Sequence, residues 1–162
     1  GGVYLGGTGS ANYLDDYEEG IWTPSFNYSP SYFPTGGLSG SGAGVGYSWR
    51  AGHYVKIGRL VYCSLQFGLS SKGSGSSGDY TYITDLPFTV GRPPSGGDFS
   101  YVHLRGYDHV SGYSNTNAPS LAIYDTRDYG VFTYGDSQTH MPWGNQNGSA
   151  RWLADFVYYT ND

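Results

Sequence analysis

Four carboxylates crowd into five positions at Asp15, Asp16, Glu18 and Glu19, the densest set of chemically capable side chains in the sequence. Hard oxygens packed so closely could hold Ca²⁺, or supply the acid pair of a glycoside hydrolase. The spacing favours neither, because the EF-hand ladder of oxygens is absent and adjacent carboxylates on one turn do not flank a sugar from two sides. Mutual repulsion predicts instead that the run stays near solvent and finds cations or backbone N–H donors. It would then form an acidic turn ahead of a strand at Ile21, Trp22 and Thr23 that Pro24 stops. Asp15, Asp16, Glu18, Glu19 and Trp22 are expected to be structural, with no metal and no cofactor.

Other routes to catalysis are thin. His53, His103, His109 and His140 are far apart in sequence, and no G-x-S-x-G elbow, H-E-x-x-H or P-loop is present. Residues 73–78 formally match G-x-G-x-x-G, but they lead into a strand over 79–84, where a dinucleotide site needs a helix N-terminus. Cys63 is alone, so neither a disulfide within the chain nor a thiolate zinc site can form, and its alternation with Val61, Leu65 and Phe67 reads as a small core hydrophobe. The expectation is a protein that is not an enzyme.

Net charge is −5, and the eight Lys and Arg residues are scattered, which excludes the basic stripe that nucleic acid requires. Tyr is abundant at 18 residues, beside 4 Trp, while aliphatic side chains are few. Such a chain builds a small aromatic core, completes its burial against other subunits, or does both. The loops are rich in Tyr, Ser, Gly and Asn, as in surfaces that bind through adaptable polar contacts around rigid rings. Tyr28, Tyr32, Tyr107, Tyr113, Tyr129 and Trp143, beside Asp108, Asn115, Asp136 and Asn145, are therefore the candidate contacts for a glycan. Equally, several of these rings could cover the core or subunit contacts.

The elements that would position them are strands. Gly58 and Arg59 suit the centre of a type II′ turn joining strand 53–57 to strand 60–69, which sets Ile57 against Leu60, Val55 against Tyr62 and Tyr54 against Cys63. Both faces of this hairpin are apolar, so one is assigned to the core and the other, with Val55, Ile57, Leu60 and Tyr62, to an oligomer interface. Further strands are expected over 79–84, 99–107, 120–125, 129–134 and 152–160. Long loops are expected over 29–46 and 135–150, with a flexible connection over 70–78. Helical periodicity is absent. The fold class is all-β, an antiparallel β-sandwich of jelly-roll type. No transmembrane run, signal peptide or lipid anchor is expected, and with Gly first the chain reads as a piece of something longer.

Three passages resemble bacteriophage tail-fibre proteins. Gly2-Val3-Tyr4-Leu5-Gly6-Gly7-Thr8-Gly9, with Asn12 and the acidic run, resembles the junction between a fibrous shaft and a C-terminal head. Gly52-His53-Tyr54-Val55-Lys56-Ile57-Gly58-Arg59 is similar to the Tyr-x-Lys-Ile-Gly hairpin of those heads, and Leu86-Pro87-Phe88 to a later Leu-Pro-Phe. The resemblance implies a junction over 1–20 and a receptor-binding head over 21–162. It implies a homotrimer joined to an upstream fibre shaft, located extracellularly on the virion. Such a head would attach to a host cell-surface polysaccharide or outer-membrane component without breaking bonds, inserting into a membrane or binding nucleic acid. A structural virion or filament protein, such as a head fibre or decoration protein whose aromatic surface packs on other subunits, is the alternative. A depolymerase is a third.

Overall fold

The computed structural model describes residues 3–4, 13–14, 16–30, 44–92, 99–111, 118–124, 126–134 and 139–161. Its strands are β1 (Val3–Tyr4), β2 (Tyr13–Leu14), β3 (Tyr17–Trp22), β4 (Ser25–Ser29), β5 (Val45–Ile57), β6 (Leu60–Lys72), β7 (Tyr80–Thr84), β8 (Phe99–His103), β9 (Gly106–Val110), β10 (Pro119–Tyr124), β11 (Gly130–Tyr134) and β12 (Gln146–Tyr159). β1 pairs with β2. The others form two antiparallel five-stranded sheets, β4-β7-β11-β10-β8 and β3-β5-β6-β12-β9, which pack as a β-sandwich. The chain crosses repeatedly from one sheet to the other, as a jelly-roll connectivity requires. Among the described residues there is no α-helix, only a 3₁₀ turn at Trp143–Asn145.

The β5–β6 hairpin has the expected register, with Ile57 opposite Leu60, Val55 opposite Tyr62 and Tyr54 opposite Cys63. Gly58 carries φ 55° while Arg59 stays at negative φ, the backbone pattern of a type II′ turn. The strands are longer than periodicity suggested. β5 begins at Val45, and register shifts at Gly46–Tyr47 and Tyr47–Trp49 obscure its alternation. The expected strand 99–107 is two strands in different sheets, broken at Leu104 and Arg105. β12 starts at Gln146, which takes the end of the expected 135–150 loop into the sheet. The boundary expected at residue 20 falls inside β3, so Tyr17 to Gly20 belong to the sandwich.

Rings fill the space between the sheets. Phe26 sits at their centre, with the rings of Trp143, Phe67, Phe132 and Trp152 at 5.0, 5.1, 5.4 and 6.3 Å between centroids. Along β12, Trp152, Ala154, Phe156 and Tyr158 all point inward, as the period-2 pattern required. Tyr phenols in this interior find partners: Tyr47 Oη accepts from the Phe26 N–H at 2.6 Å, and Tyr158 Oη accepts from the Phe88 N–H at 3.2 Å. Cys63 is buried in the same layer, and its thiol is pushed up to about 12, chiefly by loss of solvent.

Trp143 belongs to this interior, whereas Tyr129 is buried in a second cluster with Tyr82, Ala122, Tyr124 and Val131 on the opposite face of β11, its ring meeting Tyr82 edge-on at 5.4 Å. Neither presents a face to a ligand, which corrects their assignment to a stacking surface. The connection over 70–78 is likewise part of the packing. The Trp143 N–H donates to Asp79 O at 2.6 Å, and the Gly144 N–H to Ser77 O at 3.0 Å. A Cβ on Gly75 would lie 2.6 Å from Trp143 Cδ1, so only glycine lets this loop lie flat on the indole. The Trp143 Nε1–H has no hydrogen-bond partner among the described residues. Trp143→Ala is thus expected to cost about 3–5 kcal/mol of stability. Trp143→Phe keeps one ring while removing the unpartnered donor and part of the indole volume, and should cost less than Trp143→Ala. Urea titration of the two variants checks the ordering.

Candidate functional site

Three features of the sandwich have chemical consequences: a salt-bridged junction at one edge, an apolar outer sheet face, and a polar cleft where β9 leaves β12.

The acidic run finds a cation. Lys56 lies on the inner face of β5 with only 4 % of its side chain exposed, and its Nζ is 2.7 Å from Asp16 Oδ1 and 3.2 Å from Glu18 Oε1. The ammonium also stands 5.5 Å from the Phe88 ring centroid. The hydrogen bond to Asp16 is the largest influence holding Lys56 above the ordinary lysine range, burial opposes it, and Glu18 adds to it. Glu19 accepts from Tyr17 Oη at 2.6 Å, Asp16 O accepts the Gly58 N–H at 2.8 Å, and Trp22 Nε1 donates to Ser64 O at 3.3 Å. Glu18 and Glu19 thus lie within β3 rather than on a preceding turn, while Asp15 lies outside the described residues.

The acidic run, the hairpin and the Leu-Pro-Phe segment, one from each passage that resembles a tail-fibre head, meet in this one place. β3 pairs with β5, with Tyr17 opposite Ile57 and Glu19 opposite Val55, and Phe88 packs edge-on against Tyr54 at 5.2 Å between centroids. Stretches separated by dozens of residues in sequence form one contiguous unit.

The outward side of the same sheet is largely apolar at the end nearest the β5–β6 turn. Following the registers across four strands, one row reads Tyr17, Ile57, Leu60, Tyr159 and the next Glu19, Val55, Tyr62, Val157. Ile21 extends the patch and is 79 % exposed; Tyr17, Ile57, Leu60, Tyr62, Val157 and Tyr159 are all exposed in the single chain. Ile57, Leu60 and Tyr62 therefore occupy the uncovered face expected of an interface, with Val55 half-buried between them.

The cleft comes from a mismatch between β9 and β12. Gln146 is opposite Val110 and Arg151 opposite Asp108, so the intervening β12 residues bulge out against the single residue His109, which sits at φ 58°. The opening measures about 520 Å³ and is lined by Lys72, His109, Val110, Ser111 and residues 144–148. Asn145 is held in place from three sides: its carbonyl accepts the Ser111 N–H at 2.9 Å, its N–H donates to Pro142 O at 3.0 Å, and its Nδ2 donates to Tyr134 Oη. The His109 ring is set by Asp108 Oδ2, 3.3 Å from Nε2, and by Ser149 Oγ, 3.1 Å from Nδ1. This order of groups matches a hydrolytic triad by distance. However, the Ser149 N–H is engaged by Asn147 Oδ1 at 3.2 Å, so the usual oxyanion donor is taken, and His109 and Asp108 are open to water. The arrangement orients the imidazole toward the cleft.

The expected glycan contacts are thereby sorted. Asn145 lines the cleft and Asp108 orients one of its walls. Tyr28 is half-buried with its ring 4.7 Å from Trp143, and Tyr107 lies 6.1 Å from Trp152, so both lean on the core. Tyr32, Tyr113, Asn115 and Asp136 lie outside the described residues. Lys72, Ser111, Gln146 and Asn147 were not singled out from the sequence. Their one signal there is the amide run Asn145-Gln146-Asn147 between Gly144 and Gly148.

Removing the acids should cost more than removing the cation. Asp16→Asn with Glu18→Gln strands a buried ammonium, at about 2–3 kcal/mol, somewhat below the cost for a fully buried pair because both carboxylates are half-exposed. Lys56→Met leaves carboxylates that water can reach and should cost less. Because the folded lysine titrates higher than the unfolded one, the wild-type contribution is complete below about pH 10.4 and fades as pH rises through the folded value. Chemical denaturation at pH 7 and above pH 10 measures both effects.

Compared with known proteins, the chain matches no protein-family model and no curated protein.

Proposed function

We propose that this chain is a receptor-binding head of the phage tail-fibre type, a non-enzymatic adhesin that works as a homotrimer on a fibre shaft. The observation that carries the reading is the meeting of segments from all three resembling passages in one packed unit, β3 on β5 with Phe88 against Tyr54. Unrelated matches in sequence have no reason to converge in space. The apolar rows of the outer sheet face support the trimer, because apolar surface spread over four strands gains by losing water against a copy of itself. The cleft at the β9–β12 bulge supports attachment to a cell-surface saccharide, since its walls are amides, a hydroxyl and two nitrogen bases. Repetition of such heads on a particle multiplies weak single-site affinities.

A structural virion or filament role has one observation in its favour. The rings that composition assigned to exposed loops include Trp143 and Tyr129, which are used up in packing.

Adsorption of the fluorescently labelled chain to bacterial cells separates the two. Saturable binding that purified surface polysaccharide competes away supports the adhesin; an intact oligomer that adsorbs to no strain of a broad panel overturns it. Light scattering tests the assembly: Ile57→Asp with Tyr62→Asp, both exposed in the single chain, should give folded monomers. A wild-type chain that is itself monomeric overturns the trimer.

A further inference from the structure

We propose that the cleft at the β9–β12 bulge accepts an acidic saccharide, with the carboxylate of a uronic-acid-type residue facing Lys72. The inference rests on the adhesin reading of the same site and narrows it to one ligand chemistry.

One observation concerns charge. Lys56 is paired with Asp16 and Glu18, and Arg105 with Asp155 at 2.9 Å. Lys72 lines the cleft at the end of β6, where its backbone pairs with β5 at Val45, and its side chain makes no ion pair or hydrogen bond to any described residue. A chain of net charge −5 repels a polyanion over most of its surface, so an uncommitted ammonium inside a polar cleft is a local exception. His109, across the same opening, is compensated by Asp108, which leaves Lys72 as the cationic group open to a ligand.

Burial supplies a second, independent observation. Gln146 lines the cleft and is only 3 % exposed. Its Nε2 is engaged by Met141 Sδ at 2.7 Å, and its Oε1 has no hydrogen-bond partner among the described residues. A buried acceptor without a donor is costly, and because this oxygen is itself shielded from solvent, a small rotation of the amide toward the cleft is what would let a ligand hydroxyl satisfy it. Asn145 and Asn147 add amides, and Ser111 adds a hydroxyl.

Among the described lining residues there is no Tyr, Trp or Phe, and the His109 imidazole is the one ring. With so small a stacking surface there, the cleft discriminates chiefly by hydrogen bonds and charge, which suits a sugar carrying a carboxylate better than a neutral sugar held by its flat face. A single Lys–carboxylate contact in an open cleft is screened by salt, so the preference should weaken as ionic strength rises.

Calorimetry on the full chain with trigalacturonate and its fully methyl-esterified form tests this. At low salt the acid should bind at least about tenfold more tightly than the ester. Lys72→Gln should bring the two together without moving the melting temperature, and added NaCl should do the same to the wild type. Equal binding of acid and ester, no binding of either, or a preference that survives Lys72→Gln each overturns the proposal. Adsorption to cells, measured in parallel, keeps the broader reading separate. Wild-type adsorption alongside failed calorimetry leaves the adhesin standing without the acidic ligand, whereas tight trigalacturonate binding without adsorption to any strain retains the cleft and removes the adhesin.

Discussion

The contact of Phe26 with Trp143, Phe67, Phe132 and Trp152 is what the two sheets are built around. Packed sheets lie roughly 10 Å apart, and something must fill that gap to interior density. In a chain with few aliphatic side chains, indole and phenyl rings do so, each burying a large area with few rotatable bonds. The loop at residues 73–78 and the 3₁₀ turn at Trp143–Asn145 are ordered because they cover the edge of this ring cluster. The amides of the polar cleft begin at the last residue of that turn and continue directly after it, so their placement derives from the core beneath them.

Two departures from regular sheet geometry create the surfaces that matter. At one edge, β3 carries its carboxylates onto a lysine that points inward, and the apolar side of the same strands is left outside. At the other edge, β12 has more residues than β9 can oppose, and the surplus opens the cleft around His109. Both arise within the sheet β3-β5-β6-β12-β9, whose inner side is committed to the core. A strand has only two faces, so outward chemistry must come from the opposite face, from an edge or from a bulge.

These surfaces suit different kinds of partner. The apolar rows are spread over several strands, which fits association with another protein surface. The cleft is small and polar, lined among the described residues by amides, a lysine, a serine and the His109 imidazole, which fits a hydroxylated ligand bearing charge. The proposed fibre adhesin would need both: one surface to assemble and another to attach.

Alternation along the hairpin over 53–69 and along 152–160 was readable directly, because period-2 patterning determines which side chains share a face and the turn at Gly58 and Arg59 determines register. Cys63 as a core residue followed from the same pattern. The acidic run's need for a cation was also readable, from repulsion alone, though not that Lys56 would supply it. Irregularity decided the rest. Register shifts hid the first half of β5, and the bulge hid the start of β12 and the role of Gln146. Whether a tryptophan beyond a glycine-rich loop is a ligand platform or a core filler depends on which sheet closes over it; Trp143 was settled only by long-range packing. Local pattern therefore determined strands, faces and one turn, while tertiary structure decided which polar groups meet. Pleat periodicity is a property of neighbouring residues, whereas a cleft is made by residues far apart in sequence.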